Sequence, residues 1–256
     1  FTGFRGLGSL LVCPGESPLL IVPVLDSNKA FDEARGVEIA TVPVGEKTIK
    51  RVVELLKERK CRRIGFERLS LSQSIFLRRR LRKRFIKEFD DIVWKLRKKK
   101  DEGEISLMKE AARLAIIGLQ TAIGEARPGM TELELAAEIE YAMRSAGSER
   151  HAFDIIVVSG KRTSYPHACP SDKQLSAGEP VTVDLGAYYG GYCSDFTRTF
   201  WLEECPKEQE KAYRAVLSAY DSAFKKAREG VPANEIDRAA REKLGKLSRY
   251  FVHSLG

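Results

Sequence analysis

A chain of 256 residues with 43% hydrophobic composition is long enough to bury one large core or two smaller ones, and two domains is the expected arrangement. Its longest apolar runs, such as SLLV and LLIVPVL, are too short to span a bilayer, and five scattered cysteines (Cys13, Cys61, Cys169, Cys193, Cys205) without a C-x-x-C argue against a disulfide framework or a cysteine zinc site, as in a reducing cytoplasm. The formal charge of +8 is uneven: residues 51–100 hold 19 Lys/Arg against 6 Asp/Glu, so that band carries +13 and the rest of the chain −5.

The chain opens on Phe1 with no cationic and apolar leader, from which we expect that its true beginning is missing. Through residues 1–95 strand-like runs (SLLVCP, PLLIVPVL, VEIATVPV, RRIGFE) alternate with helical stretches at 47–59 and 72–88, which predicts an α/β N-terminal domain. Within the basic band, FLRRRLRKRFIKEF (76–89) spaces Phe76, Leu77, Leu81, Phe85 and Phe89 about four apart, the pattern of an amphipathic helix with a basic outer face. Such a face can grip nucleic acid, but more often it is solvated, with arginine stems covering apolar surface. No C2H2 pattern, RNP-like aromatic motif or glycine-rich phosphate loop accompanies it, so nucleic acid is not an expected partner.

Residues 96–103, charged and containing a glycine, read as a linker to a second domain over 104–256. There Glu104 to Glu125 is helical by period, with Ile105, Met108, Ala112, Ala115, Leu119 and Ala122 on one face. ARPGM ends it, and Thr131 to Glu134 is a capping box opening a helix that stops near Gly147. AFDIIVVSG reads as a strand. VTVDLGAYYGGYCSDFTRTF (181–200) then reads as a hairpin whose first strand points Val181, Val183 and Leu185 one way and Asp184 the other. A turn centred between Tyr189 and Gly190 makes Asp184 and Asp195 direct cross-strand partners, with Cβ atoms about 4.5–5.5 Å apart. Two like charges so placed destabilise the pair unless a shared proton or, more strongly, a common divalent cation offsets them. Helices follow from Pro206 to about Gly230 and again after Asn234. ARPGMTELELAA (126–137) and AREGVPANEIDRAA (227–240) share enough to suggest that one helix–turn–helix unit occurs twice.

Three segments, SGKRTSYPHACPSDKQL (159–175), VTVDLGAYYGGYCSDFTRTF (181–200) and YFVHSLG (250–256), resemble the Xaa-Pro dipeptidase (prolidase) and aminopeptidase P branch of the pita-bread metallopeptidases. FTGFRG (1–6), GFE (65–67) and LRKKKDEGEISLMKEAA (96–112) add weaker matches. The resemblance implies a creatinase-like α/β N-terminal domain, an α+β pita-bread domain whose second half is incomplete here, and a cytoplasmic homodimer. It implies that Asp184 and Asp195 ligate metal, with Asp195 bridging two divalent ions. Mn²⁺ or Co²⁺ is expected first, and Zn²⁺ or Fe²⁺ is also compatible. His167 and His253 fall where the family has histidines near the scissile bond, and Thr197 is a plausible donor to a ligating carboxylate. The family's ligand set further holds a histidine and two glutamates downstream of the His-x-Leu-Gly segment with which this chain ends, so the fragment alone is expected to be inactive. For the parent protein the implied reaction is hydrolysis of the bond between an N-terminal residue and proline by a bridging hydroxide on two ions about 3.5–4 Å apart. The N-terminal domain would shape the cleft, limit substrate length or dimerise. The alternatives are a non-catalytic pita-bread protein that binds peptides or nucleoprotein, and a related hydrolase such as methionine aminopeptidase or creatinase.

Overall fold

The computed structural model describes residues 2–67 and 69–255 and divides into two compact units, 1–99 and 100–256. Phe1 and Gly256, the ends of two of the motifs above, lie outside the described residues.

The first unit runs β1 (Ser9–Leu11), β2 (Leu19–Pro23), α1 (Ser27–Glu33), β3 (Glu38–Val42), α2 (Thr48–Glu58), β4 (Arg63–Phe66), α3 (Leu71–Arg80), β5 (Phe85–Glu88) and α4 (Asp90–Lys98). Strand β2 lies between β1, antiparallel to it, and β3, parallel to it. Its continuous apolar run is buried on both faces: Leu20 and Val22 pack with Ala30 of α1, while Leu19 and Ile21 pack with Val42 and with Leu55 of α2. A strand covered on both sides needs no polar alternation, hence LLIV. Ile49, Val53 and Leu56 form the buried stripe of α2 and meet Ile64, Leu77 and Leu81 in the neighbouring cluster.

The helix expected over 72–88 ends at Arg80, and Phe85–Glu88 is instead a strand pairing in parallel with β4. FIKEF holds three strong β-formers, Phe85, Ile86 and Phe89, as well as the four-residue spacing, and the free edge of β4 decides between strand and helix. Phe85 N–H donates to Arg62 O (2.9 Å) and Phe89 N–H to Phe66 O (2.9 Å). Arg84 closes the connection by donating from Nη1 to the carbonyls of Leu56 and Cys61. The basic band is partly spent within the unit: Arg78 lies 5.8 Å from the Phe66 ring centroid, Arg80 lies 5.5 Å from that of Phe76, and Arg51 pairs with Glu54 and Glu58. Leu77 and Leu81 are core, whereas Phe85 is exposed.

Between α4 and the next helix only Lys99 to Asp101 are non-helical, so most of the segment expected as a linker is helix. The second unit begins with α5 (Glu102–Glu125) and α6 (Glu132–Ser145), opened by capping boxes on Asp101 and Thr131 respectively. Then come β6 (Arg150–His151), β7 (Ile156–Ser159), β8 (Pro180–Leu185), β9 (Ala187–Tyr189), β10 (Tyr192–Cys193), β11 (Phe196–Trp201), α7 (Lys207–Lys226) and α8 (Ala233–Leu244). The strands form two antiparallel sheets ordered β11-β8-β7 and β10-β9-β6. Helices α5 and α6 bury Leu114, Ala115, Leu119, Leu135, Ile139 and Met143 in one cluster with Val157, Val181, Val183 and Leu185. The N-terminal half of the expected α5 stripe is rotated: Ala111, Leu114 and Gly118 are buried while Met108 is exposed. Further along, a Cβ at Gly118 would meet Met143 Sδ at 2.9 Å, so the glycine lets α5 and α6 pack closely there.

The suggested repeat is realised as one turn made twice. Met130 N–H bonds to Arg127 O (3.2 Å) and Val231 N–H to Arg228 O (3.1 Å), with Gly129 and Gly230 at φ +87° and +81°. Among the described residues no helix is long and apolar enough to cross a membrane.

Candidate metal centre

Strand β8 alternates as its sequence requires, with Val181, Val183 and Leu185 buried and Thr182 and Asp184 on the half-buried opposite face. The register, however, differs from the expected one. Asp184 faces Thr197, Leu185 faces Phe196, and in the turn-proximal pair Tyr189 faces Tyr192. The two aspartates are therefore not direct partners; Asp195, just before β11, lies diagonal to Asp184 across the ladder. Glycine chemistry sets this shift. The turn is Gly190-Gly191, with φ of +58° and +94°, and a two-residue hairpin of this kind needs positive φ at both central positions. Centring it one residue earlier would force Tyr189 into the left-handed region.

The displaced register still keeps the acids together. At Gly186 the strands approach so closely that an added Cβ would lie 2.1 Å from Ser194 O, and Ser194 N–H bonds to Ala187 O at 3.0 Å. Asp195 retains solvent contact, yet surrounding protein desolvates its carboxyl and pushes its pKa above the ordinary aspartate value, and the nearby Asp184 charge adds to the rise. Thr197 Oγ1 donates to Asp184 Oδ1 at 2.7 Å, so the cross-strand partner fixes one oxygen of that carboxylate. Among the described residues this is the one donor to either aspartate's carboxylate, and no Lys or Arg pairs with them.

Two close carboxylates with free lone pairs and no protein cation suit a hard or borderline divalent ion. They fill only part of such an ion's coordination shell, and among the described residues no group of three or more His, Cys, Asp or Glu could hold a metal. By itself the pair would supply only part of a metal's donor set.

His167 is exposed in the turn Tyr165 to Ala168, within the connection that leaves β7 at Ser159 and reaches β8 at Pro180. His253 is exposed beyond α8: its Nδ1 lies 2.7 Å from Ser254 O, its ring stands edge-on to Phe251, and its carbonyl accepts from Arg241 Nη2 at 2.8 Å. Among the described residues no hydrogen bond joins either histidine to the aspartates. His151, the third histidine, sits elsewhere, with Nδ1 3.4 Å from Glu140 and Nε2 3.7 Å from Asp154. Sequence reasoning missed Glu132, a fully buried carboxylate behind the His167 connection, because an acid in a helix first turn looks like ordinary capping.

Comparison with known proteins places the chain in a family. Residues 106–256 match the family model described as metallopeptidase family M24, and residues 1–99 match the creatinase/prolidase N-terminal domain. The Xaa-Pro dipeptidase of Pyrococcus horikoshii is 35% identical over 257 residues, which cover 97% of this chain and 70% of that protein. The structure of an Xaa-Pro dipeptidase from Bacillus anthracis superposes with a TM-score of 0.89 at 32% identity, covering 98% of this chain and 70% of its own. That of an X-Pro aminopeptidase from Thermotoga maritima gives 0.86 at 34% identity, covering 95% and 69%.

Proposed function

The chain belongs to metallopeptidase family M24 and carries a creatinase/prolidase N-terminal domain ahead of a pita-bread domain; from that premise we propose that the protein hydrolyses the amide bond between an N-terminal residue and a following proline, at a divalent-metal centre to which Asp184 and Asp195 contribute ligands. The observation that carries this reading is the uncompensated carboxylate pair: two acids drawn together by the Gly186 approach, with one hydroxyl donor and no protein cation between them among the described residues. Repulsion of this kind is retained where something absent from the protein alone offsets it.

Manganese or cobalt fits the donor set best, since oxygen-rich sites favour such ions over a structural zinc. When bound, divalent ions lower the pKa of water into the neutral range and polarise the substrate carbonyl. The residues of this chain have separate tasks. Asp184 and Asp195 hold and neutralise the charge, while Thr197 fixes the Asp184 carboxylate through its 2.7 Å bond and leaves the other oxygen to ligate. His167 and His253 donate hydrogen bonds to the substrate carbonyl and to the negative charge that grows on its oxygen. The direct test is proline release from an Xaa-Pro dipeptide by the full-length protein with Mn²⁺ or Co²⁺ and with a chelator. Chelator-sensitive release lost in Asp195→Asn supports the reading. Metal-independent release, or none, refutes it, and the latter favours the peptide-binding alternative.

A further inference from the structure

Glu132, at the start of α6, is completely buried, an expensive place for a carboxylate unless every lone pair is used. Here they are. Oε1 accepts from Ser159 N–H (2.7 Å) and Ser159 Oγ (3.1 Å); Oε2 accepts from Ser171 N–H (3.1 Å) and Ser171 Oγ (2.7 Å). Arg162 Nε bridges both oxygens at 3.3 and 3.0 Å. The donors come from two points of one connection: Ser159 closes β7 and Ser171 lies twelve positions later. The start of α6 adds backbone bonds to the same far side, from Glu132 N–H to Lys173 O (3.0 Å) and from Leu133 N–H to Ser171 O (3.1 Å).

Arg162 carries the constraint outward. While Nε holds Glu132, Nη2 donates to Cys169 O at 2.6 Å, and Arg162's own carbonyl accepts from Tyr165 N–H at 3.0 Å. Between those anchors lies the turn Tyr165-Pro166-His167-Ala168, closed by Ala168 N–H to Tyr165 O at 3.3 Å. His167 has no hydrogen-bond partner of its own among the described residues, so its position follows from the backbone that Arg162 grips on both sides. A network this complete is far more than an exposed loop needs to stay attached to a sheet.

We propose that Glu132 and Arg162 are positioning residues, a buried carboxylate and its guanidinium bridge that fix the turn carrying His167. The role assigned to His167 rests on the functional reading above; the clamp itself rests on the geometry. Arg162→Lys is the mild perturbation, since a single ammonium cannot reach Glu132 and the Cys169 carbonyl in a fork, while the serine donors still satisfy Glu132. Glu132→Gln is the stronger one, because it places an NH₂ among donors.

The experiment uses the full-length protein with two readouts. In the first, kcat for an Xaa-Pro dipeptide is measured for each variant alone and in a His167→Ala background; each is expected to lower kcat about tenfold or more with His167 present and less than twofold without it. A merely structural weakening would multiply through both backgrounds, and such additivity overturns the link to His167. The second readout is amide hydrogen exchange without metal or substrate, expected to rise at residues 163–170 and stay unchanged across β8. Unchanged exchange at 163–170 in both variants overturns the clamp. If the wild-type protein releases no proline, the functional reading fails, and hydrogen exchange alone decides the clamp.

Discussion

Replacing Asp195 by asparagine should change the sign of its effect with metal. Without metal, Asp195 bears two unfavourable terms, desolvation and the charge of Asp184, which together push its pKa up. Asparagine keeps the shape and removes the charge. The acids are diagonal rather than directly opposed, so the relief belongs in the range measured for cross-strand pairs, about 0.5 kcal/mol, or an increase of about 1–2 °C in Tm for a protein of this size. With Mn²⁺ at about a hundred times its Kd, the wild-type protein gains about 2.7 kcal/mol by mass action. The variant has lost a ligand and should gain little. Thermal unfolding of full-length wild type and Asp195→Asn, each in chelator and in excess Mn²⁺, should therefore give curves that exchange order: the variant melts higher in chelator and lower in metal. Loss of stability in chelator would show that the charged carboxylate helps the metal-free hairpin, and equal stabilisation by metal in both proteins would remove Asp195 from the ligand set. Either result refutes the reasoning.

Gly186→Ala places a methyl 2.1 Å from Ser194 O, a backbone atom that cannot swing away, so it should cost about 3 kcal/mol or more in a urea titration and weaken metal uptake by spreading the aspartates. Gly190→Ala combines a φ of +58° with a contact 2.7 Å from Leu107 Cδ2 and should cost about 1–2 kcal/mol by the same assay, whereas wild-type stability would contradict the turn assignment. Thr131→Ala removes the capping hydroxyl that accepts from Glu134 N–H and should cost about 1 kcal/mol. Asp237 has a folded pKa below its ordinary value, mainly through its bond with Arg241 and then through Leu255 N–H. Its contribution to stability is thus complete above the ordinary aspartate range and lost as pH falls through the lower folded value. Asp237→Asn should flatten that acid limb in stability measured against pH, and an unchanged limb would show the bond contributes nothing.

Much of the first unit was legible because its strands are buried on both faces and read as unbroken apolar runs, as LLIV does in β2. The segment after Arg80 was not, because Phe85 and Phe89 continue a four-residue spacing that no local rule breaks. What breaks it is distant: β4 offers an unpaired edge, and Arg84 finds the carbonyls of Leu56 in α2 and Cys61 just before β4. Local spacing describes what a segment can do, and pairing with residues twenty positions away decides what it does. The close packing of α5 on α6 is equally hidden, since periodicity finds a stripe but cannot see that Gly118 admits Met143.

The carboxylate pair was legible in kind and misplaced in register, for a reason the sequence does contain. YYGG holds two glycines, and a two-residue turn needing positive φ at both centres can only be Gly190-Gly191. That displacement changes the chemistry of the site. Had the acids been direct partners, Thr197 would have had Thr182 opposite it rather than a carboxylate. In the observed register Thr197 faces Asp184 and donates to it at 2.7 Å, while Thr199 takes Thr182 at 2.8 Å. The hydroxyl thus stands in the ladder where a like charge would have stood, and the second acid is moved one step along the same edge, where Gly186 lets the strands close up beside it. One acid is oriented by a neutral donor and the other is left without one, so the two carboxylates differ even though both come from the same hairpin. A symmetric pair would compete equally for a proton. This one fixes Asp184 through Thr197, while among the described residues Asp195 has no such donor and its pKa is pushed up by desolvation and by the Asp184 charge, so the two carboxylates enter the proposed site on unequal terms.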